Sequence, residues 1–472
     1  MPDVDVHRRR LEKSALALIA LGRALAQERS LAPGIDRFLN LLDEVSGAEP
    51  EHFTRVWSDP VAYFWVRRAV HFLASCRGEP LGTVERAYCA ELGAESPARA
   101  LELHLEEFKR FALAIALVSG DEIVFSEPYV AALPLAIPGT DLVISGGERA
   151  TIAGARGAGI ELLDPRRTIG IESAGPEGVR VERCPTVSVG DSRVFLNPAR
   201  FRLPGLGFPI GWTGLPLEFQ SRYRPAVVDA LDTIRRLQPE TFAQLEQALH
   251  TVALRPNDGT FFNLSASELP GSFVCTVPSD AYVLASTFIH ELHHNTLFAI
   301  EEAGPFLEAG ERDEVEGENH YSPWVETLRP LHGILHAVYV FLPVFRFWCG
   351  VIDEGPLGEG RLAHANEQVA RIPVQLRIGV NQLRRHARFT RLGSTLFDEM
   401  AAKVTEAEDT ARAMGATLRT EVIGISPSGA LRPVRVNGRP LTVAEAMLDH
   451  LTKTDVHGEC VEERAELERQ IA

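Results

Sequence analysis

Apolar residues recur at helical spacing through the first quarter of the chain, which predicts helices from residue 8 to about 118. From about Asp121 to 215 the pattern changes to short apolar runs separated by Gly and Pro, which is typical of strands and turns. Helical periodicity returns at Pro225. Beyond Gly415 the dipeptide Asn437-Gly438 predicts a hairpin, followed by a capped helix from Thr442. The pattern therefore predicts an α+β fold, mainly helical, with a β-rich middle segment.

These changes of pattern divide the chain into four predicted regions. They are an N-terminal helical region (1–119), a β-rich subdomain (120–215), a second helical domain (216–414) and a C-terminal hairpin and helix (415–472). A chain of 472 residues is long enough for two or three domains with large cores.

The most informative helix is predicted over Ala281–Gly304. Pro278, Ser279 and Asp280 offer a helix start and an N-cap, and Gly304-Pro305 offers a stop. The helix contains one HExxH motif, His290-Glu291-Leu292-His293-His294. His290 and His294 lie one turn apart on one face, close enough to bind a single metal ion, whereas Glu291 points about 100° away around the helix.

Chance is a poor explanation for this motif, because the 15 His and 64 acidic residues would produce roughly 0.06 such windows in a random chain. The alternative is an ordinary helix with surface histidines. Against that alternative, Phe288 and Ile289 precede Glu291, and unliganded imidazoles are costly in an apolar neighbourhood. The 216–414 region is therefore predicted to be a helical, metal-binding catalytic domain.

A third protein ligand is expected from a later segment. His336 sits among Leu335, Ala337 and Val338 on the next predicted helix, where a buried imidazole needs a partner. A core histidine satisfied by hydrogen bonds is the alternative interpretation, and Glu326 is the carboxylate alternative as a ligand.

Three further residues are assigned other roles. His332, nearer the helix start, is predicted either to lie at the surface or to contact a metal ligand without binding the metal itself. Glu301 and Glu302 stand two turns beyond His294, too far along the helix axis to complete the same coordination sphere.

Two chemistries fit these residues. In a hydrolase, Zn²⁺ would polarise a peptide carbonyl, and Glu291 would act as general base on metal-bound water. In an oxygenase, three protein ligands would leave open positions on Fe(II), and Glu291 would only orient a ligand or water. The metzincin continuation is absent, since Leu297 and Ile300 stand where its glycine and third histidine would be.

Composition narrows the class of partner. The net charge of −16 argues against nucleic acid or an anionic membrane as the main partner. The basic stretch Arg371–Arg391 is interpreted as a solvated helix face rather than an anion site, although it could face an acidic peptide. The six cysteines form no CxxC pair, and no apolar stretch is expected to reach membrane-spanning length. A cytoplasmic protein is predicted, and the sequence allows a homodimer.

Three segments carry a resemblance to a known family. They read LASTFIHELHHNTLFAI, YSPWVETLRPLHGILHAVYVFLPVFRFW and, over 388–400, RFTRLGSTLFDEM. The chain resembles, over about 270–400, the HExxH-type peptide β-hydroxylases of ribosomally made peptide (RiPP) biosynthesis, which depend on Fe(II) and 2-oxoglutarate. It departs from the family at Val325, where an arginine often follows the tryptophan, and at His332, which replaces a common glycine.

The resemblance implies an Fe(II)/2-oxoglutarate-dependent oxygenase that uses O₂ to hydroxylate the β-carbon of a residue in a precursor peptide. It implies His290, His294 and His336 as iron ligands. It also implies a cationic anchor for 2-oxoglutarate, for which Arg329 is the candidate because a guanidinium matches a carboxylate bidentately. Since Val325 stands where the family often has an arginine, a residue of the 371–391 basic stretch is the alternative anchor, or the use of the co-substrate is altered. The rival hypotheses are a zinc metallopeptidase with Glu291 as base and a peptide-binding scaffold with a structural metal.

Overall fold

The computed structural model describes the chain except for residues 1–5, 33, 158, 164–166, 171–177, 209–213, 259–261, 279, 309–318 and 427–429. About 56% of the chain is helical and 17% lies in strands, so the predicted mixed α+β class is confirmed. The helices, numbered in chain order, are α1 Val6–Gln27, α2 Gly34–Ser46, α3 Pro50–Trp57, α4 Pro60–Cys76, α5 Thr83–Leu92, α6 Pro97–Glu106, α7 Phe108–Ser119, α8 Leu217–Leu237, α9 Pro239–Ala248, α10 Ala281–Glu301, α11 Leu331–Asp353, α12 Glu359–His386, α13 Arg391–Ala413, α14 Val443–Thr454 and α15 Val461–Ile471.

The strands form several small sheets. They are β1 Glu122–Ala132, β2 Leu135–Ala136, β3 Leu142–Ser145, β4 Arg149–Arg156, β5 Gly159–Leu162, β6 Arg167–Gly170, β7 Arg180–Arg183, β8 Thr186–Val189, β9 Ser192–Leu196, β10 Thr251–Arg255, β11 Asn263–Ser265, β12 Ser272–Thr276, β13 Ile423–Ile425, β14 Leu431–Pro433, β15 Arg435–Val436 and β16 Arg439–Pro440. The sheet orders are β1-β4-β5-β6, β2-β3-β7, β11-β12-β10-β9-β8, β13-β14 and β15-β16.

The five-stranded sheet positions the HExxH helix. Its strand β10 runs parallel to β9 and β12, whereas β11 is antiparallel to β12 and stands at the edge. The chain passes from β12 into α10, so the histidines of α10 lie beside the edge strand. Phe273 of β12 packs edge-on against Phe288 of α10, with ring centroids 5.0 Å apart. Both side chains are fully buried, which anchors the helix to the sheet.

Helix α10 begins as its sequence predicts. The Asp280 carboxylate accepts hydrogen bonds from the backbone N–H groups of Tyr282 and Val283, which satisfies two of the donors left open at a helix start. Ser279, the other candidate cap, lies outside the described residues. The helix ends at Glu301, before Gly304.

The predicted hairpin and the capped helix after it are also confirmed. Asn437 and Gly438 both have positive φ, 52° and 83°, as a two-residue turn between β15 and β16 requires. Thr442 and Glu445 form a capping box at the start of α14. The predicted start of helix α8 at Pro225 was wrong, because the helix begins at Leu217 and contains this proline.

The hydrophobic cores cross some of the predicted region boundaries. Helices α1–α7 and strands β1–β7 share one buried cluster, which includes Trp57, Phe111, Ile152 and Val181. A second cluster joins β8, β9, β10 and β12 to helices α8–α13. The boundaries at 119, 215 and 414 stay predictions.

Helix α11 corrects one expectation about length. Its 23 residues are long and apolar enough to cross a membrane, although 78% of its apolar window is buried inside the protein. The expectation that no apolar stretch reaches this length was therefore wrong. The helix is apolar because it packs against α10, α12 and α13.

The basic stretch of α12 is in part the solvated face that was predicted, since Arg384 and Arg385 are exposed, but some of its residues contact the C-terminal segment. Arg377 donates to Glu466 of α15 at 2.8 Å, and Arg385 donates to the backbone carbonyl of Glu459 at 2.8 Å. Asn381 on the same face donates to Glu463 at 2.9 Å. The acidic partner of this face is thus the C-terminal segment of the same chain.

Candidate metal centre

A cavity of about 780 Å³ lies between α10, α11, the edge strand β11 and the segment before α11. The residues predicted from the sequence to form the site line it together: His290, Glu291, His294, Arg329 and His336. Another cavity of about 420 Å³ lies beside β3 and β7, but no histidine or cysteine is among its lining residues. Of these two cavities, the first is the one whose described lining residues include histidines, the common ligands of transition metals.

The two HExxH histidines point ring nitrogens at each other, with Nε2 of His290 3.1 Å from Nε2 of His294. Two nitrogens bound to one ion at about 2.0–2.1 Å, at angles between 90° and 110°, lie roughly 2.8–3.4 Å apart. The observed separation is that of two ligands of one ion. The rotamers thus suit metal binding without a change of backbone.

Both imidazoles are held in the neutral form that metals require. Burial lowers the pKa of His290 to about 4, and the charges of His293 and Arg329 add to the effect. Burial also lowers the pKa of His294 well below its usual range, with further contributions from His290 and His336. At neutral pH a proton therefore competes weakly with a metal for these nitrogens.

His336 contacts the other side of His294, with 3.2 Å between the two Nδ1 atoms. The far nitrogen of its ring, Nε2, lies 3.5 Å from a carboxylate oxygen of Glu301. The second oxygen of Glu301 lies 2.8 Å from Nε2 of His332. The three site histidines are thus adjacent, but they form a chain that continues through His336 to a carboxylate. For His336 to bind the same ion as His290 and His294, its ring would have to rotate so that one of its nitrogens faces the Nε2 atoms of those two histidines.

Glu301 acquires a role that its position on α10 did not suggest. It lies two turns beyond His294 on the same helix, but α11 brings His332 and His336 next to it. Burial by itself raises the pKa of Glu301, yet hydrogen bonds and charge from His332 and His336 outweigh burial and lower it far below its usual range. A carboxylate behind a candidate ligand orients the imidazole and raises its basicity.

Glu291 is buried in the cavity wall, 2% exposed, with a carboxylate oxygen 4.0 Å from Nε2 of His290. Ser265 of β11 donates to it at 2.6 Å. Asn295 donates to the Ser265 hydroxyl at 3.1 Å and to the Glu291 carbonyl at 3.0 Å. Burial raises the pKa of Glu291 to about 7, against the lowering effect of the Ser265 hydrogen bond. The carboxyl is therefore held in one orientation beside the candidate ligands.

Arg329 lines the same cavity from the segment before α11. Its side chain lies across Gly333, where an added Cβ would stand 3.3 Å from the arginine Cδ. Within the described part of the chain its guanidinium forms no ion pair, and its charge lowers the pKa of both His290 and His294. Gly333 thus leaves room for the side chain of Arg329, whose guanidinium is available to bind an anion.

Aromatic side chains form the remaining wall. Trp324 stacks on Phe341 with 5.5 Å between centroids, and Phe341 packs edge-on against His290 at 5.0 Å. Trp324 also fills the space beside Gly379 of α12, where an added Cβ would come within 2.8 Å of the indole. These contacts restrict the orientation of His290.

The structure places the alternative site residues, the ligand candidate Glu326 and the anchor candidates of the basic stretch, where they are less suited to these roles. Glu326, the carboxylate alternative as third ligand, is exposed and does not line the cavity. Arg371 and Arg377 of the basic stretch are paired with glutamates, Glu367 and Glu408. Sequence reasoning missed Ser265 and Asn295. Asn295 could have been noticed because it is a polar residue within the apolar run of α10. Nothing in the sequence singles out Ser265.

Replacing His336 with alanine is expected to abolish metal retention if its ring turns to become the third ligand. Glu301→Gln should keep the metal but lower the affinity about 10- to 100-fold, because it removes only the carboxylate that orients His336. Iron content is measured after desalting, with Glu326→Gln as the control that leaves affinity unchanged. Wild-type iron content in His336→Ala would remove His336 from the ligand set.

Comparison with known proteins adds no relative. No protein-family model matches this chain, and none of the curated proteins searched matches it.

Proposed function

We propose that this protein is an Fe(II)- and 2-oxoglutarate-dependent oxygenase that hydroxylates the β-carbon of a residue in a ribosomally made precursor peptide. The observation that carries the proposal is one cavity lined by a pair of neutral imidazoles, His290 and His294, and by Arg329, whose guanidinium forms no ion pair with the residues that the structure describes. A zinc hydrolase needs three protein ligands and a general base but no further cation. A 2-oxoglutarate enzyme also needs a cation to bind the second carboxylate.

The donor set fits Fe(II). His290 and His294 supply two nitrogens at ligand spacing. His336, which lies between His294 and Glu301, would supply a third nitrogen after a rotation of its ring. With 2-oxoglutarate and O₂, a bound iron would supply the oxidising power to place oxygen on an unactivated C–H bond. Glu291 lies beside these residues and, held by Ser265, would orient a hydrogen-bonding group near the metal.

Arg329 would bind and orient the co-substrate. Its guanidinium can donate two parallel hydrogen bonds to a carboxylate. Arg329 lines the same cavity as His290 and His294, so a dicarboxylate bound in that cavity could contact both the arginine and the metal. Val325, which replaces an arginine of the resembled family, also lines the cavity, so Arg329 would substitute for that charge.

The peptide would approach from a second side. A cavity of about 320 Å³ shares Asn263, His290, Glu291 and Phe341 with the larger one. These shared residues lie between the two cavities, and they include the candidate ligand His290. Two openings on one metal centre suit an enzyme that binds a small co-substrate and a peptide residue at the same time, with Trp324 and Phe341 limiting the access of water.

The test is reconstitution of the anaerobic apoprotein with Fe(II), followed by 2-oxoglutarate, O₂ and the precursor peptide encoded beside it. Succinate and the peptide mass are measured. Succinate formation with a gain of one oxygen on the peptide is the expected result. Two peptide fragments with Zn²⁺ alone, or tight binding without any change, would overturn the proposal in favour of a peptidase or a scaffold.

A zinc metallopeptidase is the second candidate, favoured by the position of Glu291. Its carboxylate lies 4.0 Å from Nε2 of His290, where a general base for metal-bound water would stand. Strand β11 beside it stands at the edge of its sheet, and an edge strand can pair with an extended peptide.

Glu291→Gln separates the two candidates. In a peptidase it should lower the rate about 10²- to 10⁴-fold, because it removes the general base. In the oxygenase it should leave peptide hydroxylation within about tenfold of wild type, since the amide still accepts from Ser265 and no base is needed. Ser265→Ala serves as the matched control, because it frees the same carboxylate without removing it. Loss of hydroxylation of more than about 100-fold in Glu291→Gln would contradict the oxygenase assignment of this residue.

A further inference from the structure

Three residues far apart in the sequence meet outside the main cavity: His320, His386 and Glu459. His320 precedes the segment that leads into α11, His386 is the last residue of α12, and Glu459 precedes α15. One donor atom from each lies within 4.8 Å of the other two. Their proximity is a product of the fold, because no helix or strand holds more than one of them.

The donor atoms have the spacing of metal ligands. The Glu459 Oε2 atom lies 3.5 Å from Nε2 of His386 and 3.9 Å from Nδ1 of His320. Donors at about 2.0–2.2 Å from a tetrahedral zinc ion lie roughly 3.3–3.6 Å apart. The two rings are stacked at a centroid distance of 4.4 Å and an interplanar angle of 30°, and each has a nitrogen within 4.8 Å of the other two donors. Small side-chain rotations would bring all three donors around one ion.

Burial makes this arrangement costly without a cation. The Nε2 atom of His386 and the Oε2 atom of Glu459 are buried, and neither has a hydrogen-bond partner among the described residues. Buried polar atoms without partners are uncommon in proteins, and a bound ion is one recognised reason for them. A simple ion pair is the alternative, but one carboxylate oxygen would then face two stacked imidazoles, and protonating both would place like charges side by side.

We propose that His320, His386 and Glu459 form a second metal site, for a divalent transition cation of the zinc type. Two imidazoles and one carboxylate are the donors that zinc takes in three-ligand protein sites. The site joins the C-terminal segment to the end of α12. It also acts on the main cavity, because the backbone N–H and C=O of His320 pair with those of Arg329 at 2.8 and 2.9 Å. A cation at this site would therefore fix the segment that carries Arg329.

The site is tested on the full-length chain, stripped of metal and then incubated with excess Zn²⁺, desalted and analysed for zinc per chain. His386→Gln and Glu459→Gln are each expected to bind one zinc fewer than wild type. His457→Gln is the matched control, since it removes an exposed histidine two residues from Glu459 and should bind as much zinc as wild type. The zinc-dependent rise in Tm should shrink in the first two variants alone.

The same comparison in a His290→Ala/His294→Ala background separates this site from the HExxH centre. There, His386→Gln should again remove one zinc. Equal zinc content in wild type, His386→Gln and Glu459→Gln, with circular dichroism showing all three folded, would overturn the second site. If one variant fails to fold, the other decides. The result does not depend on the proposed oxygenase activity, which is measured separately by succinate formation with Fe(II).

Discussion

Replacing His294 with alanine is expected to lower the affinity for Fe(II) by more than about 100-fold, a larger loss than the 10- to 100-fold typical of residues behind the ligands. His294 contributes one of the two Nε2 atoms that stand 3.1 Å apart, and its other nitrogen contacts His336. Its removal thus takes away one ligand and separates the remaining two. The measurements are iron content after anaerobic reconstitution and the rate of succinate formation, both of which should fall to the background of a metal-free sample.

His293→Gln is the matched control for this experiment. His293 is the neighbouring residue on α10 and is more deeply buried than His294, but its Nδ1 lies 2.7 Å from the carbonyl oxygen of Ile289 and it does not line the main cavity. This variant should retain about one iron per chain at the HExxH centre. If His294→Ala bound iron as tightly as His293→Gln, the HExxH helix would not be the metal centre, and the oxygenase proposal would fail with it.

Replacing Arg329 with methionine should weaken 2-oxoglutarate binding while leaving the iron content unchanged. Hydrogen bonds to a charged group contribute about 1.5–3 kcal/mol, so the loss should raise the Kd roughly 10- to 150-fold. Arg329→Lys should fall between methionine and wild type, because it keeps the charge but loses the bidentate geometry. Calorimetric titration of the anaerobic iron-loaded protein measures the Kd directly, and succinate formation measures KM.

Arg391→Met is the control for Arg329, since Arg391 is an exposed arginine of the basic stretch that offered alternative anchors. Its Kd for 2-oxoglutarate should equal that of wild type. A reversed result, with binding lost in Arg391→Met and kept in Arg329→Met, would move the anchor to the basic stretch. Unchanged binding in both variants would contradict a role for either arginine.

Local rules accounted for much of the fold and part of the site. Helix α10 was predictable because an N-cap at Asp280, apolar residues at helical spacing and Gly304 after its end act within a few residues of one another. The hairpin at Asn437-Gly438 was predictable because its tight turn requires positive φ at both residues, and Asn and Gly are among the few residues that adopt it readily. The start of α8 was not, because a proline is tolerated inside a helix when tertiary packing supports it.

By itself, the sequence determined that His290 and His294 share one face of a helix and that Glu291 is turned away from it, because these relations follow from the period of the helix. Only the tertiary structure decided which groups from other segments reach them. Packing of α11 against α10 gives His336 its neighbours His294 and Glu301, and the edge strand β11 brings Ser265 to Glu291. Contacts between segments depend on how their buried surfaces pack together. A periodic pattern specifies which face of a helix or strand is buried, but not which other segment packs against that face.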